Sequence, residues 1–217
     1  MLKRLIARTR FCTSAVALVV VSALALSASV EAQTSAAPTS TALPSGASVA
    51  AGSASVSHSG TANAPVMTVQ QQSDRAIVNW NSFNVGRDAS VVFKQPESSS
   101  VILNRVLDAN PSQIFGRLQS NGQVFLLNPA GVWFGPTASV DVGALVASTH
   151  SISDKNFMAG NYQFDRNGAL GKIINDGSIE AKMGGYIALL APEVQNSGVL
   201  IAKSGSIVLA GGESMTM

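Results

Sequence analysis

The sequence predicts an all-β protein wound as a parallel β-helix, and three observations carry that prediction. Charged residues make up only 12% of the chain and aromatics 6%, with 19 Gly. Helical proteins lean on Glu, Lys, Leu and Ala, so this balance favours strands and tight turns. Apolar runs of strand length recur between Gly, Asn, Ser and Pro. Near the C-terminus the chain repeats itself. Asn175-Asp176-Gly177-Ser178-Ile179-Glu180-Ala181 returns 21 residues later as Asn196-Ser197-Gly198-Val199-Leu200-Ile201-Ala202. Gly185-Tyr186-Ile187-Ala188-Leu189 returns 20 residues later as Gly205-Ser206-Ile207-Val208-Leu209. A short period without a helix between the strands is that of solenoid coils, whose strands pair from coil to coil. Each unit is expected to hold two short strands and two turns. Ile, Val, Leu and Ala fill a narrow interior, while Gly and Asn take corners because they tolerate left-handed backbone angles. A leucine-rich repeat would show a regular Leu-x-x-Leu-x-Leu pattern, which is absent. A membrane β-barrel needs long amphipathic strands and aromatic girdles, which two Trp and two Tyr cannot furnish.

The first element is a targeting segment. Lys3, Arg4, Arg8 and Arg10 precede an almost unbroken apolar run over 15–26, and Val30-Glu31-Ala32 offers a small-x-small cleavage site. That order reads as a secretory signal peptide over 1–32. The apolar run falls short of the ~20 residues that an anchor needs to span a bilayer. The whole chain has 14 Lys+Arg and 12 Asp+Glu; 1–32 holds four of the bases and one acid, leaving ten against eleven, a net of −1. Nucleic acid is therefore not an expected partner, since a basic patch would be required. The only cysteine, Cys12, lies in the targeting segment, so the exported chain relies on core and ladders rather than disulfides.

Residues 33–42 are rich in Ser, Thr and Ala and read as a flexible mature N-terminus. The β-helix is expected over 43–217, with capping strands at its N-terminal end. Strand candidates follow at 89–93, 101–103, 123–127, 132–134 and 139–142, each bounded by turn residues. A helical turn is expected within 108–118 and another within 153–159. The repeat is still running at the last residues, and Glu213 to Met217 make a poor cap. The chain is therefore expected to be the front, or the remnant, of a longer protein.

One block carries a family resemblance. It runs Val101-Ile-Leu-Asn104-Arg105-Val106, then Asn110-Pro111-Ser112-Gln113-Ile114-Phe115-Gly116, then Asn121-Gly122-Gln123-Val124-Phe125-Leu126-Leu127-Asn128-Pro129-Ala130-Gly131-Val132-Trp133-Phe134-Gly135. Ile77 to Gly86 and Gly143 to Thr149 flank it. The block resembles the haemagglutination-activity, or TPS, domain at the N-terminus of filamentous-haemagglutinin-like exoproteins. The resemblance covers roughly 43–212. It implies a right-handed parallel β-helix and two-partner secretion from a Gram-negative bacterium, to the cell surface or medium. The exoprotein enters the periplasm by the general export machinery. A dedicated outer-membrane barrel then recognises the domain through POTRA domains. A missing C-terminal region would carry any contact with host cells or glycans. The family's Asn-Pro-Asn-Gly motif stands here as Asn128-Pro129-Ala130-Gly131, with Ala at the third position. Its Asn-Pro-Asn-Leu motif has no match, and Asn110-Pro111 is followed by Ser112.

Asn128, Pro129, Ala130 and Gly131 suit a type I turn, whose third position accepts most residues. The resemblance adds transporter recognition to that structural role. Asn110 and Pro111 are expected to form a second turn only. Trp80, Phe83, Trp133 and Phe134 are expected mostly to pack rather than to form a binding patch. Asn175 and Asn196 repeat at one corner, where stacked side chains can hydrogen-bond along the solenoid. His58 and His150 lack nucleophile or metal-ligand context, and Asp141, Asp154, Asp165, Asp176, Glu180 and Glu193 are scattered. No cofactor, metal or catalytic group is expected. Two alternatives remain: a free-standing adhesin binding carbohydrate or host surfaces, and, more weakly, a polysaccharide-active β-helix enzyme.

Overall fold

A computed structural model describes residues 36–217. The expected leader over 1–32, its cleavage site beside Ala32 and the start of the 33–42 lead lie outside the described residues. Within that lead, Ser40 and Ala42 carbonyls accept hydrogen bonds from the N–H groups of Asp88 and Gly86 at 2.8 and 2.9 Å. Composition suggests a loose segment there, but backbone pairing holds it to the body from Ser40 onward.

Four strands open the domain: β1 (Ser48–Ala51), β2 (Ala54–Thr61), β3 (Ala64–Gln71) and β4 (Arg75–Trp80). β2 runs antiparallel to β3, and β1 antiparallel to β4. β1 and β2 lie at the N-terminal edge of the sheets, and Ala54 and Val56 of β2 pack against the core there. From there the chain winds. β5 (Ser90–Lys94) stacks parallel on β3, and β6 (Val101–Val106) on β4. The following coil is β7 (Ser112–Ile114), β8 (Arg117–Ser120) and β9 (Gln123–Leu127); the next is β10 (Val132–Phe134), β11 (Ser139–Val142) and β12 (Ala144–Ser148). An excursion then carries α1 (Asp154–Met158) and β13 (Gln163–Asp165). Winding resumes with β14 (Ile173–Asn175), β15 (Ser178–Ala181) and β16 (Tyr186–Leu190), then β17 (Val194–Asn196), β18 (Val199–Ala202) and β19 (Ser206–Ala210), before β20 (Ser214–Thr216).

The coils stack as three parallel faces. β7, β10, β14 and β17 form the first; β3, β5, β8, β11, β15 and β18 the second; β4, β6, β9, β12, β16 and β19 the third. The sequence repeat is the ladder register, because Asn175 pairs with Asn196, Ser178 with Val199 and Tyr186 with Ser206. Each repeat unit holds three strands, not the expected two. The extra strand is three residues long and ends at the Asn of the corner, so it reads in sequence as part of a turn.

The faces bury different surfaces. Along the second face Leu118, Val140 and Ile179 point inward, while Gln119 and Asp141 stay exposed. The third face is covered on both sides. Val124, Leu126, Leu145, Ala147, Ile187 and Leu189 fill the solenoid interior. The intervening Phe125, Leu127, Val146, Ala188 and Leu190 join Ile152, Phe157 and Phe164 in a second cluster outside it. Strands buried on both faces read as continuous apolar runs, which is the pattern of Val124-Phe125-Leu126-Leu127.

The excursion that covers this face contains the helical turn expected within 153–159. Ser153 caps it, its hydroxyl accepting the Asn156 N–H at 3.2 Å. The turn expected within 108–118 is instead strand: β7 and the start of β8 are held there by parallel pairing to β10 and β11. A local helical preference is weak and gives way to ladders on both sides. β20 leaves the coil path and pairs antiparallel with β13, beside an Arg166–Glu213 ion pair at 2.6 Å. The last coil keeps apolar side chains in solvent, with Val199 52% and Leu209 48% exposed.

Candidate functional site: the asparagine–proline corner

Asn128 directly follows β9 and Gly131 precedes β10, so the four-residue motif is the corner between the third and first faces. The Gly131 N–H donates to the Asn128 carbonyl at 2.9 Å and closes the turn. Gly131 takes φ +122, and a side chain there would meet the Lys172 carbonyl at 2.8 Å. Pro129 is exposed and Ala130 half-buried. Asn128 itself is fully buried. Its Oδ1 accepts the Ala130 N–H at 2.9 Å, and its Nδ2 donates to the Asn110 carbonyl and to Ser112 Oγ, both at 3.0 Å.

The two Asn-Pro segments are therefore one structure. They lie 18 residues apart, one coil, and Asn128 ties the Asn110-Pro111 turn of the previous coil to its own. Asn110 is further fastened by Asp108, whose Oδ1 accepts both its backbone N–H and its Nδ2, at 3.1 and 2.8 Å. Sequence reasoning treated Asn110 and Pro111 as a separate turn and passed over Ser112. The 18-residue spacing, close to the coil period, was the available signal.

A wall beside this corner comes from the segment after β12. The Asn128 N–H donates to the Ser148 carbonyl at 3.0 Å. His150 is fully buried, with Nε2 2.8 Å from the Gly212 carbonyl and its own N–H donating to Ser148 Oγ at 3.0 Å. Arg105 reaches across from β6 to Asp154 at 2.6 Å and to the Ile152 carbonyl at 3.0 Å. Between them lies a cavity of about 350 Å³ lined by residues that include Leu107, Pro129 and His150.

Three of the four singled-out aromatics are core: Trp80, Phe83 and Phe134. Trp133 is half-exposed; its indole N–H donates to Asp176 Oδ2 at 2.8 Å, and Phe115 meets it edge-on at 4.9 Å. Asn175 Nδ2 donates to Asn196 Oδ1 at 2.7 Å, so these side chains do bond along the solenoid. Among the described residues no group of His, Cys, Asp or Glu is placed to hold a metal ion. Tyr186, whose hydroxyl donates to Gln123 Oε1 at 2.8 Å, has its phenol pushed far above the usual range, by burial first and by Tyr162 second.

Comparison with known proteins follows the same outline. The family profile described as the TPS secretion domain matches residues 40–216. A heme/hemopexin-binding protein of Haemophilus influenzae strain Rd is 35% identical over 181 residues, which are 80% of this chain and 20% of that protein. A second H. influenzae protein of the same name is 38% identical over 111 residues, 51% of this chain and 12% of that one. The chain thus spans a fifth or less of the length of these relatives. Among solved structures, the HMW1 secretion domain of H. influenzae superposes with a TM-score of 0.73 at 36% identity, covering 80% of this chain and 46% of that one.

Proposed function

The chain belongs to the TPS secretion domain family, and from that premise we propose that it is the N-terminal secretion module of a larger exoprotein. Such domains are non-enzymatic modules of exoproteins that Gram-negative bacteria secrete through a cognate outer-membrane partner. The finer reading has four parts. Residues 1–32 take the chain to the general export machinery and are removed beside Ala32. The partner reads the domain in the periplasm through POTRA domains, at the corner of Asn128 to Gly131. The coils wind right-handed, as nearly all parallel β crossovers do. The domain then serves as a nucleus on which later coils are laid, ahead of an adhesin-like shaft.

The observation that carries this reading is the solenoid shared with the HMW1 secretion domain across four-fifths of the chain. The nucleus role has its own support. β17, β18 and β19 are the outermost strands of the three faces, and Val199, Ile207 and Leu209 on them are exposed. An apolar coil edge of this kind is a template for parallel pairing.

The decisive experiment is export with and without the partner barrel gene. Material should reach the medium only with the partner present, and N-terminal sequencing should begin beside Gln33. Unchanged export in the absence of the partner would refute the reading.

A further inference from the structure

We propose that the cavity beside Pro129 is the pocket into which the transporter inserts one apolar side chain, next to a basic residue of the same segment. This deepens the secretion reading above and rests on it.

The cavity, about 350 Å³, has an apolar half and a polar half. Val106, Leu107, Leu127 and Pro129 supply the first. Leu107 is 62% exposed, although it follows directly on a strand and donates its backbone N–H to the Trp80 carbonyl at 2.9 Å. Its backbone is therefore held while its side chain stays in water. Apolar anchors fixed in this way lose little freedom when a partner covers them.

The polar half is incomplete in two respects. His150 is fully buried, and its Nε2 faces the Gly212 carbonyl, which can only accept. Nε2 therefore donates to that carbonyl, and Nδ1 has no hydrogen-bond partner among the described residues. Asp108 is the second. Its carboxylate accepts only from Asn110 and has no ion pair among the described residues, whereas the cavity-lining Arg105 is already paired with Asp154. The uncompensated charge at the rim is negative, so the complementary segment carries Lys or Arg beside its apolar side chain. An extended peptide brings both parts together: an apolar side chain and a neighbouring cation.

The location fits the corner's construction. Asn128 spends its side chain inside the fold, leaving Pro129 as the exposed member of the motif and part of the cavity wall. The motif thus builds the pocket rather than being read atom by atom.

The test measures binding of the full exported chain to the purified transporter in detergent. Three variants are compared with the parent: Leu107→Asp, Asp108→Lys and, at a different corner, Met183→Asp, whose residue is 82% exposed. All three positions lie at the surface or partly so, and circular dichroism melts check that each variant keeps its fold. Leu107→Asp and Asp108→Lys should each weaken binding at least roughly tenfold, as loss of an interface anchor does, with Met183→Asp unchanged. If the parent binds and both pocket variants bind within about twofold of it, the pocket assignment is wrong while the secretion reading stands. If the parent itself does not bind the transporter, the secretion reading fails and takes this inference with it.

Discussion

Replacing Asn128 by Ala should act through stability. The amide makes three hydrogen bonds from a fully buried position. A net protein hydrogen bond contributes about 1 kcal/mol, and a buried group left without its partner costs about 1–3 kcal/mol. The substitution strands the hydroxyl of Ser112, which is 2% exposed, together with the Asn110 carbonyl and the Ala130 N–H. Some of these groups lie near the surface and recover water, so the expected loss is about 3 kcal/mol. For a chain of this size that corresponds to a fall in Tm of roughly 6–12 °C. Asn128→Asp should be no milder: it keeps the acceptor facing Ala130 but removes the amide donor and buries a charge beside the Asn110 carbonyl, which can only accept. The assay is thermal denaturation of the exported chain, followed by circular dichroism, alongside export. Export of Asn128→Ala should recover at reduced growth temperature, where the weakened corner still forms. A Tm within about 1 °C of the parent, combined with lost export, would refute this reasoning and make the Asn128 side chain itself the recognised group.

Gly131→Val should destabilise by roughly 2–4 kcal/mol, because φ +122 is strained for a branched residue and the added carbon meets the Lys172 carbonyl at 2.8 Å; urea unfolding measures it. Phe125→Ala removes the ring around which Phe157, Tyr162 and Phe164 gather at centroid distances of 5.7, 4.9 and 6.2 Å. It should cost about 3–5 kcal/mol, and hydrogen exchange should show 154–165 losing protection before the coils do. The Tyr186 phenol is held neutral by burial, with its folded pKa above the unfolded value of 10.0. Its contribution is therefore complete below pH 10.0 and declines as the pH rises beyond it. Urea midpoints at about pH 8 and 11 should fall less steeply for Tyr186→Phe than for the parent.

The coil path was legible because its signals are local. The spans 123–127, 132–134 and 139–142 coincide with β9, β10 and β11, since each is an apolar run stopped by turn residues within a few positions. The offsets of 21 and 20 became ladder register because stacked coils must place like residues above like. Val194-Gln195-Asn196 was not legible as a strand. Two of its three residues are exposed and polar, and only the parallel partner Ile173–Asn175 makes it extended. Trp133 likewise differs from Phe134 beside it only through alternation across a sheet that sequence did not reveal.

Sequence settles that this chain turns at Asn128-Pro129-Ala130-Gly131 and coils on either side, because turn closure involves atoms three residues apart. Whether Asn128 faces water or the interior is a different kind of question. Its partners are Asn110 and Ser112 from the preceding coil, and its backbone N–H binds Ser148 from the following one. The outer apolar cluster is of the same kind: Phe125 and Leu127 are buried only because the excursion folds back over the third face. That cover is fastened by bonds such as His150 to Gly212, 62 residues apart. Hydrophobic patterning reports that a residue prefers burial. Which segment arrives to bury it depends on contacts made after the coils have stacked, and no local spacing encodes them.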